Sequence, residues 1–330
     1  MAILKPVPKR KKASNDMLRV GYVPLIDCAP LAAAAELGIF EKYDLRVTLH
    51  REPGWATIRD KILHGELEAA HALAGLTFAL CFGLGAIREH CITGFIINSH
   101  GNAVTISKEL EDAGVVDAQT AGAYSRLNKK GRPLVFAVVH AFSSHHFLMR
   151  KWLSLGGLEE GRDYELVIMP PQLAPRNLEL GFIDGFCVGE PYNTIAQSAG
   201  IGQIVARSAD LAPLHPEKAL IVRRTFEEHQ PEQHRRLILA LHEACRFCAD
   251  PENRSKLLRI LAKPAYLSMP RPALKQSLEA GWTSFSGEDV NRPSREKAEW
   301  ILEEMRNCRL LGAQLPKSMP KVDEIFREDL

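Results

Sequence analysis

Strand-like and helix-like segments alternate along the first half of this 330-residue chain. Short stretches typical of strands, Leu18–Val23 and Leu45–His50, are each followed by a stretch with helical spacing, Pro30–Leu37 and Trp55–Leu63. A further strand is predicted after Gly65. This β-α-β-α-β order is typical of α/β proteins, in which helices connect the strands of a largely parallel sheet. The sequence therefore predicts the α/β class.

A second set of alternating segments follows the first. Its predicted strands are Ala103–Ser107, Leu134–Val139, Glu165–Met169 and one after Gly181, and its predicted helix is Phe147–Leu155. From Thr225 onwards the composition favours helices, which are divided by Pro231, Pro251, Pro264, Pro270 and Pro272. Domains usually contain about 100–200 residues, so the length and the repeated order both predict two domains.

Charge and cysteine content exclude several classes of protein. Lys and Arg number 42 against 40 Asp and Glu, so no strong net field favours nucleic acid as a ligand. A mean hydropathy of -0.13 and the lack of a long apolar run argue against a membrane-spanning segment. Seven cysteines, several of them in apolar stretches, favour a reducing compartment over a disulfide framework.

The N-terminal segment is basic, with Lys9-Arg10-Lys11-Lys12 at its centre. A secretory signal would continue with 7–15 apolar residues, whereas Ala13-Ser14-Asn15-Asp16 follow here. We therefore expect residues 1–17 to form a disordered basic tail, the alternative being an arm that contacts RNA, a membrane or a partner. The expected location is the cytoplasm, or the periplasm if an export signal preceded the chain.

Motifs for catalysis or cofactor binding are absent from the sequence. It contains neither a dinucleotide-binding glycine motif nor a phosphate-binding loop, a zinc-protease motif or a nucleophile elbow. Cys245 and Cys248 form a single Cys-x-x-Cys pair within a predicted helix, and a zinc site needs a second pair of ligands. We therefore predict a protein that is not an enzyme and that needs no cofactor.

Polar residues at the ends of predicted elements are the candidate ligand-binding residues. Trp55 opens a helix, Ser144 and His145 lie between a strand and a helix, and Lys218 precedes an apolar strand. The N-terminus of a helix presents free backbone N–H groups, which bind anions. Each residue also has an ordinary alternative role. Ser143 or Ser144 could simply cap the helix, and His145 could be a polar residue with its hydrogen bonds satisfied within the fold. Trp55 could belong to the core, and Lys218 could lie on the surface.

Several stretches of the chain resemble periplasmic-type solute-binding proteins, and more narrowly the nitrate/bicarbonate-binding (NrtA/CmpA-like) family. The resemblance covers residues 18–254 and is carried by 22–31, 36–45, 54–60, 144–153, 184–193 and 215–219. The sequence Ala70-His71-Ala72-Leu73-Ala74 is most similar to the cytoplasmic nitrate/nitrite sensor (NasS-type) branch of that family.

The resemblance implies a ligand-binding set and a fold. The family's contacting tryptophan, histidine and lysine correspond to Trp55, His145 and Lys218, and Ser144 lies beside them. A glutamine contact of the transporters has no counterpart, and His71 or Leu73 occupies its neighbourhood. The implied fold is the periplasmic-binding-protein-like type II fold, in which a ligand cleft lies at the hinge between two lobes. We expect lobe I to comprise residues 18–100 and 218–330, and lobe II residues 101–217.

The candidate residues suit a small monoanion. Nitrate is a planar anion that needs about one positive charge and several neutral donors, which Lys218, Trp55 and His145 would supply. Bicarbonate can also donate a hydrogen bond, which would favour a carboxylate or a metal in the pocket. The lysine therefore favours nitrate or nitrite as the ligand.

Three functions follow from the resemblance. The leading hypothesis is a cytoplasmic nitrate or nitrite sensor, which by family resemblance sequesters an RNA-binding antiterminator protein (NasT-like) until the ligand binds. The second is the solute-binding protein of an ABC transporter for nitrate, bicarbonate or another small ligand. The third, an enzyme of the related pyrimidine-synthase branch, depends on a clustered cysteine motif that this sequence lacks.

Overall fold

The described part of the chain contains two β-sheets with helices between their strands, which confirms the α/β prediction. The computed structural model describes residues 17–127, 131–213, 215–287, 289–311 and 320–330. The basic tail predicted for residues 1–17 lies outside these ranges, except for Met17.

The first sheet has seven strands and a mixed topology. Leu18–Tyr22 pairs in parallel with Val47–Arg51 and Ala69–Leu73, and the long strand Pro216–Arg223 pairs with Ala69–Leu73 in the antiparallel direction. The order across the sheet is Thr283–Ser284, Ile96–His100, Pro216–Arg223, Ala69–Leu73, Leu18–Tyr22, Val47–Arg51, and Cys91–Ile92 also pairs with Pro216–Arg223.

The second sheet has five strands, in the order Gly202–Arg207, Asn102–Ser107, Gly185–Gly189, Leu134–Val138, Tyr164–Ile168. The chain enters it through Gly101, whose φ of 96° lies in the left-handed region that glycine tolerates. It returns to the first sheet between Arg207 and Pro216. The two sheets are therefore joined where strands Ile96–His100 and Gly202–Arg207 end and where strands Asn102–Ser107 and Pro216–Arg223 begin.

Helices cover both sheets. The longer ones are Ala29–Glu36, Trp55–Leu63, Ala74–Phe82, Ala118–Leu127, Ser144–Leu155, Pro231–Ala249, Arg254–Leu261, Arg271–Ala280 and Arg295–Asn307. The shorter ones are Ile39–Lys42, Lys108–Asp112, Ala174–Glu179, Tyr192–Ser198, Ser208–Leu211, Arg224–His229 and Val322–Ile325. Pro231 and Pro272 lie in the first turn of their helices, where a missing N–H costs nothing.

Packing across the two sheets is extensive. Helix Arg295–Asn307 contacts both Ala74–Phe82, which follows a strand of the first sheet, and Ser144–Leu155, which follows a strand of the second. One core cluster contains Trp55 and Ile221 beside the first sheet together with Phe186 of the second. The buried surface between the sheets is therefore continuous in this structure, and the predicted site residues lie on it.

Candidate anion-binding site

Trp55, His71 and Lys218 meet beside two central strands of the first sheet. His71 and Lys218 belong to neighbouring antiparallel strands, and Trp55 is the first residue of its helix. The ammonium nitrogen of Lys218 lies 5.0 Å from the centroid of the Trp55 ring, and the rings of Trp55 and His71 are 6.1 Å apart. All three side chains are fully buried. The alternative that Lys218 is a surface charge is therefore wrong.

Lys218 is ion-paired with two buried carboxylates. Its Nζ lies 2.8 Å from Asp27 Oδ2 and donates to Glu217 Oε1. Burial opposes the charge on Lys218, but the two carboxylates outweigh it and raise the pKa of the lysine. Burial likewise opposes the charge on Glu217, but Lys218 and His145 hold the pKa of this carboxyl well below its ordinary value. The positive charge that the sequence predicts at Lys218 is therefore present, but two buried carboxylates pair with it.

Glu217 connects Lys218 to the second group of predicted residues. Ser144 Oγ donates to Glu217 Oε2, and His145 Nε2 lies 2.8 Å from Oε1. Asn102 Nδ2 also donates to Oε2, over 2.6 Å. The predicted site residues therefore form one buried cluster, held together by a carboxylate that the sequence analysis did not select. Its members are Trp55, His71, Ser144, His145 and Lys218, with Asp27, Asn102 and Glu217.

A helix N-cap places Ser144 and His145 in this cluster. Ser143 has extended backbone angles, and its Oγ accepts a hydrogen bond of 3.1 Å from the backbone N–H of His146. The helix therefore begins at Ser144 rather than at the predicted Phe147, because the serine satisfies its first turn. Ser144 and His145 are the first two residues of that turn, so they lie at the positive end of the helix dipole.

Several polar atoms of the cluster are buried without a hydrogen-bond partner among the described residues. They include Nε1 of Trp55, both ring nitrogens of His71 and Oδ1 of Asp27. His71 Nε2 is 3.2 Å from Asp27 Oδ1, but the two are not aligned as a hydrogen bond. A buried donor left unpaired costs about 1–3 kcal/mol. A ligand that accepts hydrogen bonds would recover this cost.

Asp27 and Glu217 are the functional candidates that sequence reasoning missed. Asp27 lies in the short turn Ile26–Cys28 that directly follows the first strand. Glu217 precedes Lys218 in a strand, where neighbouring side chains normally point to opposite faces. The pairing of this strand with Ile96–His100 shifts register at Lys218, and the irregularity lets both side chains reach the site. The available signal was a charged pair at the start of an otherwise apolar strand.

The described residues show no arrangement typical of a bound metal. Across those ranges, no group of three or more His, Cys, Asp or Glu could hold a metal ion. Cys245 of the Cys-x-x-Cys pair is buried, and its Sγ donates to the carbonyl of Ile97 over 3.4 Å. Within the same part of the chain, no helix combines the length and apolar character needed to cross a bilayer.

Comparison with known sequences identifies the family. The sequence model of the NMT1-like family matches residues 11–262. The chain belongs to the NMT1-like family. This NMT1-like protein is 34% identical over 333 residues to the nitrate import ATP-binding protein NrtC of Synechocystis sp. PCC 6803, covering 95% of the chain and 49% of NrtC. It is 36% identical over 304 residues to the bicarbonate transport ATP-binding protein CmpC of the same organism, covering 87% of the chain and 45% of CmpC.

A shorter relative is the nitrate/nitrite binding protein NrtA of Synechococcus elongatus, which is 28% identical over 291 residues, covering 85% of the chain and 66% of NrtA. The NMT1-like chain thus spans about half the length of NrtC and CmpC.

Solved structures show the same fold. The periplasmic nitrate-binding protein NrtA from Synechocystis PCC 6803 superposes with a TM-score of 0.89 at 24% identity, covering 97% of this chain and 88% of NrtA. The alkanesulfonate-binding protein SsuA from Xanthomonas axonopodis pv. citri gives 0.71 at 14% identity, covering 91% and 95%. The NMT1-like protein therefore has the mixed α/β fold of periplasmic binding proteins, as predicted.

Proposed function

We propose that this NMT1-like protein binds nitrate or nitrite between its two sheets. The observation that carries the proposal is the buried indole N–H of Trp55, which has no hydrogen-bond partner among the described residues and lies beside the ammonium group of Lys218. An anion there would accept a hydrogen bond from the indole N–H and a charge-assisted hydrogen bond from the lysine. The nitrate/nitrite binding protein NrtA, a relative by sequence, supports this ligand class.

Binding would draw on both halves of the molecule. Trp55, His71 and Lys218 come from the proposed lobe I, residues 18–100 and 218–330, whereas Ser144 and His145 come from the proposed lobe II, residues 101–217. An anion held by residues of both lobes stabilises the arrangement in which they touch, and so shifts the population towards the closed form. Binding rather than catalysis is the proposed activity.

Bicarbonate is a second candidate, favoured by the carboxylates of the site. Glu217 and Asp27 are acceptors that could receive the hydrogen of bicarbonate, which nitrate lacks. The similarity to CmpC, a bicarbonate transport ATP-binding protein, points the same way. The two ligands differ in their need for an acceptor, and this difference separates them experimentally.

Calorimetry of the purified protein with nitrate, nitrite and bicarbonate tests the ligand. We expect heat of binding with nitrate or nitrite, and the Glu217→Gln variant should weaken bicarbonate binding more than nitrate binding. A Glu228→Gln variant is the matched control, since Glu228 pairs with Arg224 on an exposed helix. If neither nitrate nor nitrite gives heat of binding, the proposal is wrong. Heat of binding with bicarbonate alone would support the second candidate.

We further propose that the protein is a cytoplasmic sensor whose partner is an RNA-binding antiterminator protein. All seven cysteines have free thiols, and six are buried, which suits a reducing compartment. The alternative is the solute-binding protein of an ABC transporter, and the named transport relatives favour that role.

Size-exclusion chromatography with the antiterminator encoded nearest to this gene distinguishes the two roles. A sensor should form a complex without ligand and release the partner when nitrate is added. If the two proteins elute separately both with and without nitrate, the sensor role is wrong and the transporter role remains.

A further inference from the structure

The net charge buried at the site is not positive, so by itself it does not favour an anion. Lys218 contributes one positive charge, whereas Asp27 and Glu217 contribute two negative charges. Both nitrogens of His145 face acceptors, namely the carbonyl of Cys187 at 3.3 Å and Glu217 Oε1 at 2.8 Å. Even if this ring donates from both nitrogens as a cation, the buried charges only cancel. An added anion would then leave one uncompensated negative charge, which is costly away from water.

The remaining charged and titratable neighbours do not correct this imbalance. His71 is faced by Asp27 from the turn after the first strand and, through Asp27, by Lys218 from the neighbouring strand. His145 is faced by Glu217 and by His215, whose ring packs edge-to-face against that of His100. Burial lowers the pKa of His215 to about 4, so this ring is neutral near pH 7. His71 is therefore the residue left to supply the missing charge.

The hydrogen bonds available to the two ring nitrogens of His71 support the same assignment. Its Nε2 lies 3.2 Å from Asp27 Oδ1, and Nδ1 is buried without a partner among the described residues. A neutral ring carries one N–H, so it can donate either to Asp27 or to a ligand, and it turns a lone pair towards the other. A ring protonated at both nitrogens donates to both.

We infer that this protein binds its anion together with one proton, which His71 takes up from solvent, with Asp27 as the carboxylate that holds the protonated ring. The inference rests on the proposed anion-binding function and deepens it. It also restricts the ligand to singly charged oxyanions, because a dianion such as sulfate would require a second proton. No covalent bond other than the N–H of His71 is made.

Nitrate calorimetry at pH 6, 7, 8 and 9, in pairs of buffers that differ in ionisation enthalpy, counts the protons taken up. We expect uptake to approach one proton per nitrate at high pH, where the dissociation constant should rise up to tenfold per pH unit. The lysine stays charged over this range, because its carboxylate neighbours raise its pKa despite burial. Sulfate should bind more weakly than nitrate throughout.

His71→Gln removes the proton acceptor but keeps a neutral donor. Nitrate should therefore bind at least tenfold more weakly than it does to the unchanged protein at pH 6, with no proton uptake and with affinity independent of pH. His234→Gln is the matched control, since His234 is a buried histidine paired with Glu227 away from the site. Nitrate binding without uptake at any pH would overturn the inference alone, and unchanged uptake in His71→Gln would overturn the role of His71. No binding at any pH would overturn the proposed function and this inference with it.

Discussion

The indole of Trp55 combines complete burial with an N–H group that has no partner among the described residues. Such a group costs the folded state about 1–3 kcal/mol unless a ligand accepts its hydrogen. From the sequence alone, this tryptophan can belong either to the core or to the site. Its place beside Lys218 and His71 shows that it does pack in the interior, and the unpaired donor is what favours a binding role.

Trp55→Phe should separate these two roles. We expect nitrate affinity to fall about tenfold or more, because one hydrogen bond to a charged group is lost. The free energy of unfolding should fall by only about 1–2 kcal/mol, because the smaller ring leaves a cavity while the lost donor has no partner among the described residues. Calorimetry and urea unfolding measure the two effects. Trp152→Phe, at a buried position beside Phe136 of the second sheet, should leave affinity unchanged. An unaltered affinity in Trp55→Phe would assign the residue to the core alone.

Lys218 has a structural role as well as a proposed binding role. Lys218→Met should destabilise the ligand-free protein by about 3–5 kcal/mol, because it leaves Asp27 and Glu217 as buried carboxylates without a cation. Adding Asp27→Asn should recover part of the loss, and urea unfolding of both variants measures the coupling. A loss below about 1 kcal/mol would mean that the two carboxylates are not held as charged groups by this lysine.

Among the elements, helix Ser144–Leu155 most directly shapes the site, because its cap decides where it begins. Ser143 accepts from the N–H of His146, and its own hydroxyl donates to the carbonyl of His140 over 2.6 Å. The cap thus holds Ser144 and His145 against Glu217. An N-cap serine was one of the alternatives kept open from the sequence, and the structure assigns that role to Ser143.

Ser143→Ala should lower the free energy of unfolding by about 1–2 kcal/mol and weaken nitrate binding several-fold, because the first turn would fray. Ser294→Ala provides the matched comparison, since Ser294 caps helix Arg295–Asn307 by accepting from Lys297 N–H. It should cost similar stability without changing affinity. Equal effects of the two substitutions on affinity would show that the cap does not organise the site.

Elements with clear periodicity were predicted well, and those without it were not. Helix Trp55–Leu63 has the predicted bounds, and strand Leu134–Val138 is shorter than predicted by a single residue. Strands Ile96–His100 and Gly202–Arg207 were not predicted. In Ile96–His100, the polar residues Asn98 and Ser99 are buried, so apolar and polar positions do not alternate. The amide nitrogen of Asn98 donates to the carbonyl of His100 over 3.1 Å, a contact that the sequence does not reveal.

At the scale of the whole molecule, buried titratable groups make stability depend on pH. Burial lowers the pKa of both His140 and His215 to about 4. The unfolded chain binds protons on these rings below about pH 6.5, whereas the folded chain does not, so acidification favours unfolding. Asp27 and Glu217 have lowered pKa values, despite burial, through Lys218 and the nearby histidines, so their contribution is lost at still lower pH.

The ligand-free protein should therefore lose on the order of 3 kcal/mol of stability per buried imidazole between pH 6.5 and pH 4. Urea unfolding at pH 7.5, 6.5, 5.5 and 4.5 measures this slope. His140→Gln should flatten part of it, because a glutamine does not titrate. A free energy of unfolding that is constant from pH 7.5 to pH 4.5 would contradict the neutral buried state of both rings.

Only the family resemblance supplied His71 of the cluster. The amino-acid sequence by itself determined the α/β class, the positions of several elements, and Trp55, Ser144, His145 and Lys218, which the fold collects beside it. It could do so because hydrophobic periodicity and helix-end residues are local properties of the chain. The tertiary structure alone decided the charge balance of that cluster. Asp27 and Glu217 meet Lys218 only because strand pairing and a shift of register bring distant segments and adjacent side chains to one place. Electrostatic energy depends on distances and burial in space, which no linear pattern encodes.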